Sequence, residues 1–187
     1  MLTLVLIRHG EVVRPSTSNF DKAHLSPLGA QQMRDLAAGW SFGKPDRIYC
    51  STLRRSAESA VILAEALGTT IRVLDDLKEW SPTVEEITQE EYHRREEACW
   101  SDHDLEFDTG ESINEATKRI RRGVLRIVGE VPQGTAAVVA HGMVFTMLIA
   151  SIKGERPTIE YKQRIPNGGI AVLEHSDAEF HIQREFF

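Results

Sequence analysis

Cysteine is scarce: Cys50 and Cys99 are the only two in 187 residues. They stand in no metal-type spacing, which excludes a disulfide framework and a cysteine-ligated zinc site, and fits free thiols in a reducing compartment. Long apolar runs are missing as well. The stretch at 2–7 (LTLVLI) has no basic region before it and meets Arg8 at once. It is too short for a signal peptide and far too short to span a membrane, so a buried strand in a cytoplasmic protein is expected. Nor is there an excess of positive charge. A net charge of −6 excludes broad attachment to nucleic acid or anionic lipid, so any anionic ligand must be drawn by a local basic pocket. No HExxH-like unit occurs, His24, His93, His103, His175 and His181 show no ligand spacing, and no metal or other cofactor is expected.

What is present is an alternation of strand and helix patterns. The run at 2–7 reads as a strand covered on both faces. Ser26-Pro27 supplies a cap and a first turn for a helix reaching about Trp40. A strand at 47–50 leads into a helix at 53–67, closed by Gly68; a third strand is expected at 70–74 and a charged, largely exposed helix at 83–100. Ser112 with Glu115 forms a capping-box pair opening a helix to about Val131. A strand at 136–140, a helix at 143–152 and closing strands at 169–174 and 180–185 complete the series. There is no internal repeat. The pattern predicts an α/β three-layer sandwich, a mainly parallel central sheet with helices on both faces, as one domain over 1–187. The sequence sets no oligomeric state.

Three short motifs begin where predicted parallel strands end: Arg8-His9-Gly10, STLRR at 51–55, and His141-Gly142. Ligands of open α/β sheets sit outside the carboxyl ends of the strands, so the three can converge on one crevice. Guanidinium forks from Arg8 and Arg55 suit phosphate oxygens, and the helix after His141 would aim free amides at the same anion. A neutral imidazole at His9 can act as nucleophile, with Gly10 permitting a sharp turn beside it. The proton for a leaving oxygen is sought in 75–80, and Glu79 beside Trp80 is the expected acid, since apolar cover raises a carboxyl pKa. A lone Arg-His-Gly is more often an ordinary turn; three motifs at matching strand ends point to a phosphoryl site. Glu111 is expected to support the helix start through its charge. Cys50 has Ser56 where a cysteine-dependent phosphatase would need an arginine, with Arg55 one residue too early.

These residues resemble the histidine phosphatase superfamily, also called phosphoglycerate mutase-like. LVLIRHGE at 4–11, LSPLGAQQ at 25–32, YCSTLRRSAESA at 49–60, GES at 110–112, VVAHG at 138–142 and PNGG at 166–169 follow in the order of that family. The resemblance implies that His9 is phosphorylated, that Arg8, Arg55, His141 and Gly142 bind the phosphoryl group, and that Glu79 is the proton donor. Many relatives carry a hydroxyl residue and an asparagine where this chain has Val12 and Pro15; Asn19 or Arg14 are candidates to compensate. The space before the second histidine is short for a mutase, which favours net hydrolysis of a small phosphorylated metabolite, with 78–111 as a lid that sets substrate choice. The alternatives are a phosphoglycerate mutase, a protein phosphohistidine phosphatase, or a phosphate-binding regulatory module without turnover.

Overall fold

The computed structural model describes residues 1–15 and 20–187. The first strand, β1 (Leu2–Arg8), is followed by a two-residue ladder of β2 (Val12–Val13) and β3 (His24–Leu25), with a 3₁₀ turn at Phe20–Lys22 between them. Then come α1 (Pro27–Ala38), β4 (Arg47–Cys50), α2 (Arg54–Leu67), β5 (Ile71–Val73), a 3₁₀ turn at Asp75–Leu77, α3 (Gln89–Ser101) and α4 (Ile113–Glu130). The chain ends with β6 (Gly134–Ala140), α5 (Gly142–Lys153), α6 (Ile159–Gln163), β7 (Ile170–Ser176) and β8 (Glu179–Arg184).

The six-stranded sheet has the order β5-β4-β6-β1-β7-β8. β5, β4, β6 and β1 run parallel; on the β1 side β7 pairs antiparallel with β1, and β8 antiparallel with β7. The alternation along β1 makes the layers. Leu2, Leu4 and Leu6 pack with Ile120, Val124 and Ile127 of α4 and Phe145 and Leu148 of α5, whereas Val5 and Ile7 face Met33 of α1 and Ala60 and Leu63 of α2. Successive side chains of a strand point to opposite faces, so one strand serves both cores. The expected three-layer α/β architecture is therefore present. Among the described residues no helix is long and apolar enough to cross a membrane.

Register decides where the site lies. Arg8 pairs with Ala140 and Cys50 with Val139, so β1, β4 and β6 end level, and His9, Ser51 and His141 emerge together at one edge. The helix ends follow their caps. Ser26 Oγ accepts the Gly29 amide and Ser112 Oγ the Glu115 amide, and Gly68 closes α2 in the left-handed region.

One element departs from its expected bounds. The helix read at 83–100 begins at Gln89, where Thr88 Oγ1 accepts the Glu91 amide. Residues 81–85 are held out of it by their own side chains: Ser81 Oγ donates to Thr83 O (2.6 Å), and Thr83 Oγ1 accepts the Glu85 amide (3.0 Å). Such local bonds compete with helix formation. α3 is also less exposed than its charge suggested, since Tyr92 and Cys99 are buried.

Candidate active site

At the level strand ends lies a cavity of about 750 Å³ whose wall includes Arg8, His9, Arg55, Glu79, Tyr92 and Asn167. His9 is 5% exposed. Its Nδ1 stands 2.7 Å from the carbonyl oxygen of Gly10, and because a carbonyl only accepts, Nδ1 carries the hydrogen. The Nε2 lone pair is left on the other side, where Arg55 Nε donates to it at 3.3 Å. Burial first, and then the Arg55 cation, lower the His9 pKa to about 3. The imidazole is therefore neutral at any pH near 7, as a nucleophile requires.

The turn that carries His9 is clamped from three directions. Asn167 Nδ2 donates to the carbonyls of His9 (3.1 Å) and Gly10 (3.2 Å), the Gly168 amide donates to Arg8 O and the Arg8 amide to Gly169 O. On the opposite side Gly10 N donates to Ser59 Oγ, and the Ser26 hydroxyl donates to the Glu11 carboxylate. Gly10, expected to permit a sharp turn, does not adopt a positive φ. It is needed for space: a Cβ there would overlap the carbonyl of Gly29 at the start of α1.

Of the adjacent arginines, Arg54 is exposed and pairs with Glu58, whereas Arg55 is 5% exposed and turns inward, its Nη1 donating to Phe20 O at 2.7 Å. Arg8 Nη1 donates to Ile165 O, and its Nε is buried without a partner among the described residues. His141 is fully buried, with its ring centroid 5.1 Å from that of His9 at an interplanar angle of 60°. It stands beside the His9 ring rather than out on the cavity wall. Its Nε2 lies 2.7 Å from Ser51 Oγ, and its Nδ1 is the second buried nitrogen of the site without a partner among the described residues. Gly142 faces Arg8: a Cβ there would sit 3.5 Å from Arg8 Nε.

The free amides expected at the start of α5 are in part taken. Met143 N donates to Glu79 Oε2 (3.2 Å) and Val144 N to Glu79 Oε1 (3.1 Å), with the Trp80 amide also on Oε1 (3.0 Å). A carboxyl group is favourable at a helix N-terminus, so Glu79 itself fills part of that anion position. Desolvation raises its pKa against the opposing pull of Arg55 and the three amides. The other carboxylates near this loop are engaged elsewhere: Asp75 accepts from Thr52, Asp76 pairs with Arg122, and Glu111 forms a two-pronged pair with Arg119. Glu111, next to the Ser112 cap, thus also holds α4 through its ion pair with Arg119. Trp80 is 1% exposed and donates from Nε1 to Glu111 O (2.6 Å), locking the loop from its far side.

Val12 and Arg14 both reach the cavity wall; Pro15 does not, and Asn19 lies outside the described residues. His93 reaches it too, paired with Glu96, while His103 is buried against Trp100. Cys50 is fully buried and burial pushes its thiol up to about 11, the reverse of an activated nucleophile. Sequence reasoning had given no role to Ser51, Asn167 or Arg119. Ser51 and Asn167 did lie inside quoted motifs, and the antiparallel return of β7 beside β1 is what brings 167–169 against 8–10.

The model of the histidine phosphatase superfamily (branch 1) matches residues 4–186. A protein of Escherichia fergusonii named "probable phosphoglycerate mutase GpmB" is 26% identical, the match covering 96% of this chain and 88% of that one. Among solved structures, the Entamoeba histolytica phosphoserine phosphatase in complex with phosphoserine has a TM-score of 0.79 at 25% identity, covering 100% of this chain and 96% of the other. The mycobacterial glucosyl-3-phosphoglycerate phosphatase in complex with VO3 has a TM-score of 0.78 at 24% identity, covering 98% of each chain.

Proposed function

The chain belongs to the histidine phosphatase superfamily, and we propose that it hydrolyses a small phosphorylated metabolite through a phosphohistidine formed on His9. The observation that carries this is the state of His9: a neutral ring whose hydrogen is committed to Gly10 O, with its lone pair at Nε2 beside Arg55. In the first step Nε2 attacks phosphorus in line, the bond to the leaving oxygen breaks, and Glu79 supplies that oxygen with a proton. Arg8 and Arg55 hold the equatorial oxygens, with His141 and Gly142 beside them. In the second step water attacks the phosphohistidine, gives its proton to Glu79, and releases inorganic phosphate and free His9.

Glu79 suits the donor role in one further respect. Oε1 accepts two amides and Oε2 only one, so Oε2 is the oxygen with room for the proton. The segment 78–111 contributes Lys78, Ser81, Thr83, Tyr92 and Glu96 to the same cavity wall, which supports its role as the lid that selects the leaving group. The name of the curated relatives favours a second outcome of the same phosphoenzyme, return of the phosphoryl group to a sugar acid. A product assay on 3-phosphoglycerate separates the two, by inorganic phosphate released against isomer formed.

The test is hydrolysis of p-nitrophenyl phosphate together with trapping of the intermediate. Acid-labile, base-stable phosphate is expected on the wild type and not on His9→Ala, which is expected to lose turnover. Undiminished hydrolysis by His9→Ala overturns the reading.

A further inference from the structure

Ser51 and His141 are both 0% exposed, so each polar hydrogen here must find a protein acceptor or a ligand. Ser51 Oγ accepts the Leu53 amide at 3.2 Å and stands 2.7 Å from His141 Nε2. The Leu53 contact can run one way only, because an amide nitrogen donates.

Two arrangements then remain for the shared contact. If Nε2 carried the hydrogen, Ser51 Oγ would accept twice and its own hydroxyl hydrogen would be buried with no acceptor among the described residues. His141 Nδ1 would then offer a lone pair toward a site built to receive negative oxygens. If instead the Ser51 hydroxyl donates to Nε2, the hydrogens of the Leu53 amide and of the hydroxyl both find acceptors, and the hydrogen of the neutral ring sits on Nδ1, free for a ligand. That is the ring nitrogen left without a partner among the described residues. An unsatisfied buried donor costs more than an ordinary hydrogen bond gains, and an arriving phosphoryl oxygen removes that cost.

We propose that Ser51 is a positioning residue that holds His141 as its Nδ1–H tautomer, making the second histidine a neutral hydrogen-bond donor to the phosphoryl group carried at His9. The inference rests on the phosphatase reading only for the identity of the oxygen that Nδ1 meets; the tautomer itself follows from the contacts of Ser51. Burial, followed by the charge of Arg55, keeps the ring neutral, so a tautomer and not a charge is what the hydroxyl decides.

The experiment is ¹⁵N NMR of histidine-labelled protein without ligand, the His141 signals being assigned by their loss in His141→Asn, followed by titration with vanadate. A protonated Nδ1 and an unprotonated Nε2 are expected in the wild type and in Ser51→Thr, which keeps the hydroxyl. Ser51→Ala is expected to lose this tautomer preference and to bind vanadate about 10- to 100-fold more weakly, the range for a bond to a charged group. A wild-type signal with Nε2 protonated overturns the proposal without recourse to any variant. So does a folded Ser51→Ala whose tautomer and vanadate affinity match the wild type. If the tautomer shifts as expected but the protein hydrolyses no phosphomonoester, the positioning role of Ser51 stands and the phosphatase reading fails.

Discussion

At the scale of single residues, the hydrogen-bond partner of a histidine decides which nitrogen reacts. His9 Nδ1 is committed to Gly10 O, so phosphate should be found on Nε2 alone. ³¹P and ¹⁵N NMR of the trapped phosphoenzyme distinguish the two isomers, and phosphate on Nδ1 would mean that the ring turns over before it attacks. Glu79 is open to the same kind of test. General acid assistance is worth about 10²–10⁴-fold, and little of it is needed when the departing oxygen is already a weak base. Glu79→Gln is therefore expected to slow alkyl phosphates by that factor and p-nitrophenyl phosphate far less. The amide also places a donor near one of the α5 amides that the carboxylate accepts. A loss equal for both substrates would accordingly assign Glu79 to the structure of the helix start, while a loss confined to poor leaving groups assigns it to proton transfer.

At the scale of elements, Glu79, the proposed acid, is only as well placed as the loop between β5 and α3. Arg119 of α4 reaches across to this loop: its Nη1 donates to Asp76 O (2.9 Å) and Lys78 O (2.8 Å), while Nε and Nη2 grip Glu111. Arg119→Met keeps the stem and removes the fork. It is expected to cost about 1–3 kcal/mol of stability and to lower kcat on alkyl phosphates more than on p-nitrophenyl phosphate, read by melting and by the ratio of the two rates. An unchanged ratio would show that Glu79 keeps its place without this brace. Arg119 also illustrates what a sequence conceals. The strands and long helices were legible because period 2 and period 3.6 show within a window of ten residues, and the three motifs of the candidate site were legible because each directly follows such a strand. β2, β3 and α6 are too short to display a period. The start of α3 was misplaced because Ser81 and Thr83 spend their hydroxyls on nearby backbone, which no hydrophobic pattern records. Arg119, Asn167 and Ser51 act on residues roughly 40 to 160 positions away along the chain, through contacts that only the packed layers create.

At the scale of the molecule, burying two neutral histidines in a cationic pocket links function to acid stability. The ordinary histidine pKa is 6.5; in the fold His9 is lowered to about 3 and His141 well below its usual value. Between about pH 6.5 and those folded values the unfolded chain binds a proton at each position that the native state refuses. Unfolding then takes up protons, so stability falls as pH drops below about 6.5, by up to about 1.4 kcal/mol per pH unit for each histidine. Glu79 acts in the opposite direction. Its raised pKa means that above 4.5 the native state keeps a proton which the unfolded chain releases, and stability falls as pH rises through that window. Carboxylates held low at the surface, such as Glu58 and Glu185, lose their contribution as pH falls, but they do so alike in any variant of the histidines. The difference between proteins therefore isolates the pocket. His9→Asn is expected to melt less far below its neutral-pH value than the wild type does at pH 5, the gap amounting to about 2 kcal/mol. Phosphate or vanadate should narrow the gap in the wild type, because an anion beside the rings favours their protonated forms and stabilises the state that binds it. Denaturation curves of the two proteins at pH 7, 6 and 5, with and without phosphate, provide the measurement. Parallel curves would mean that His9 is not held neutral by its burial, and with that the physical basis for its nucleophilicity would go.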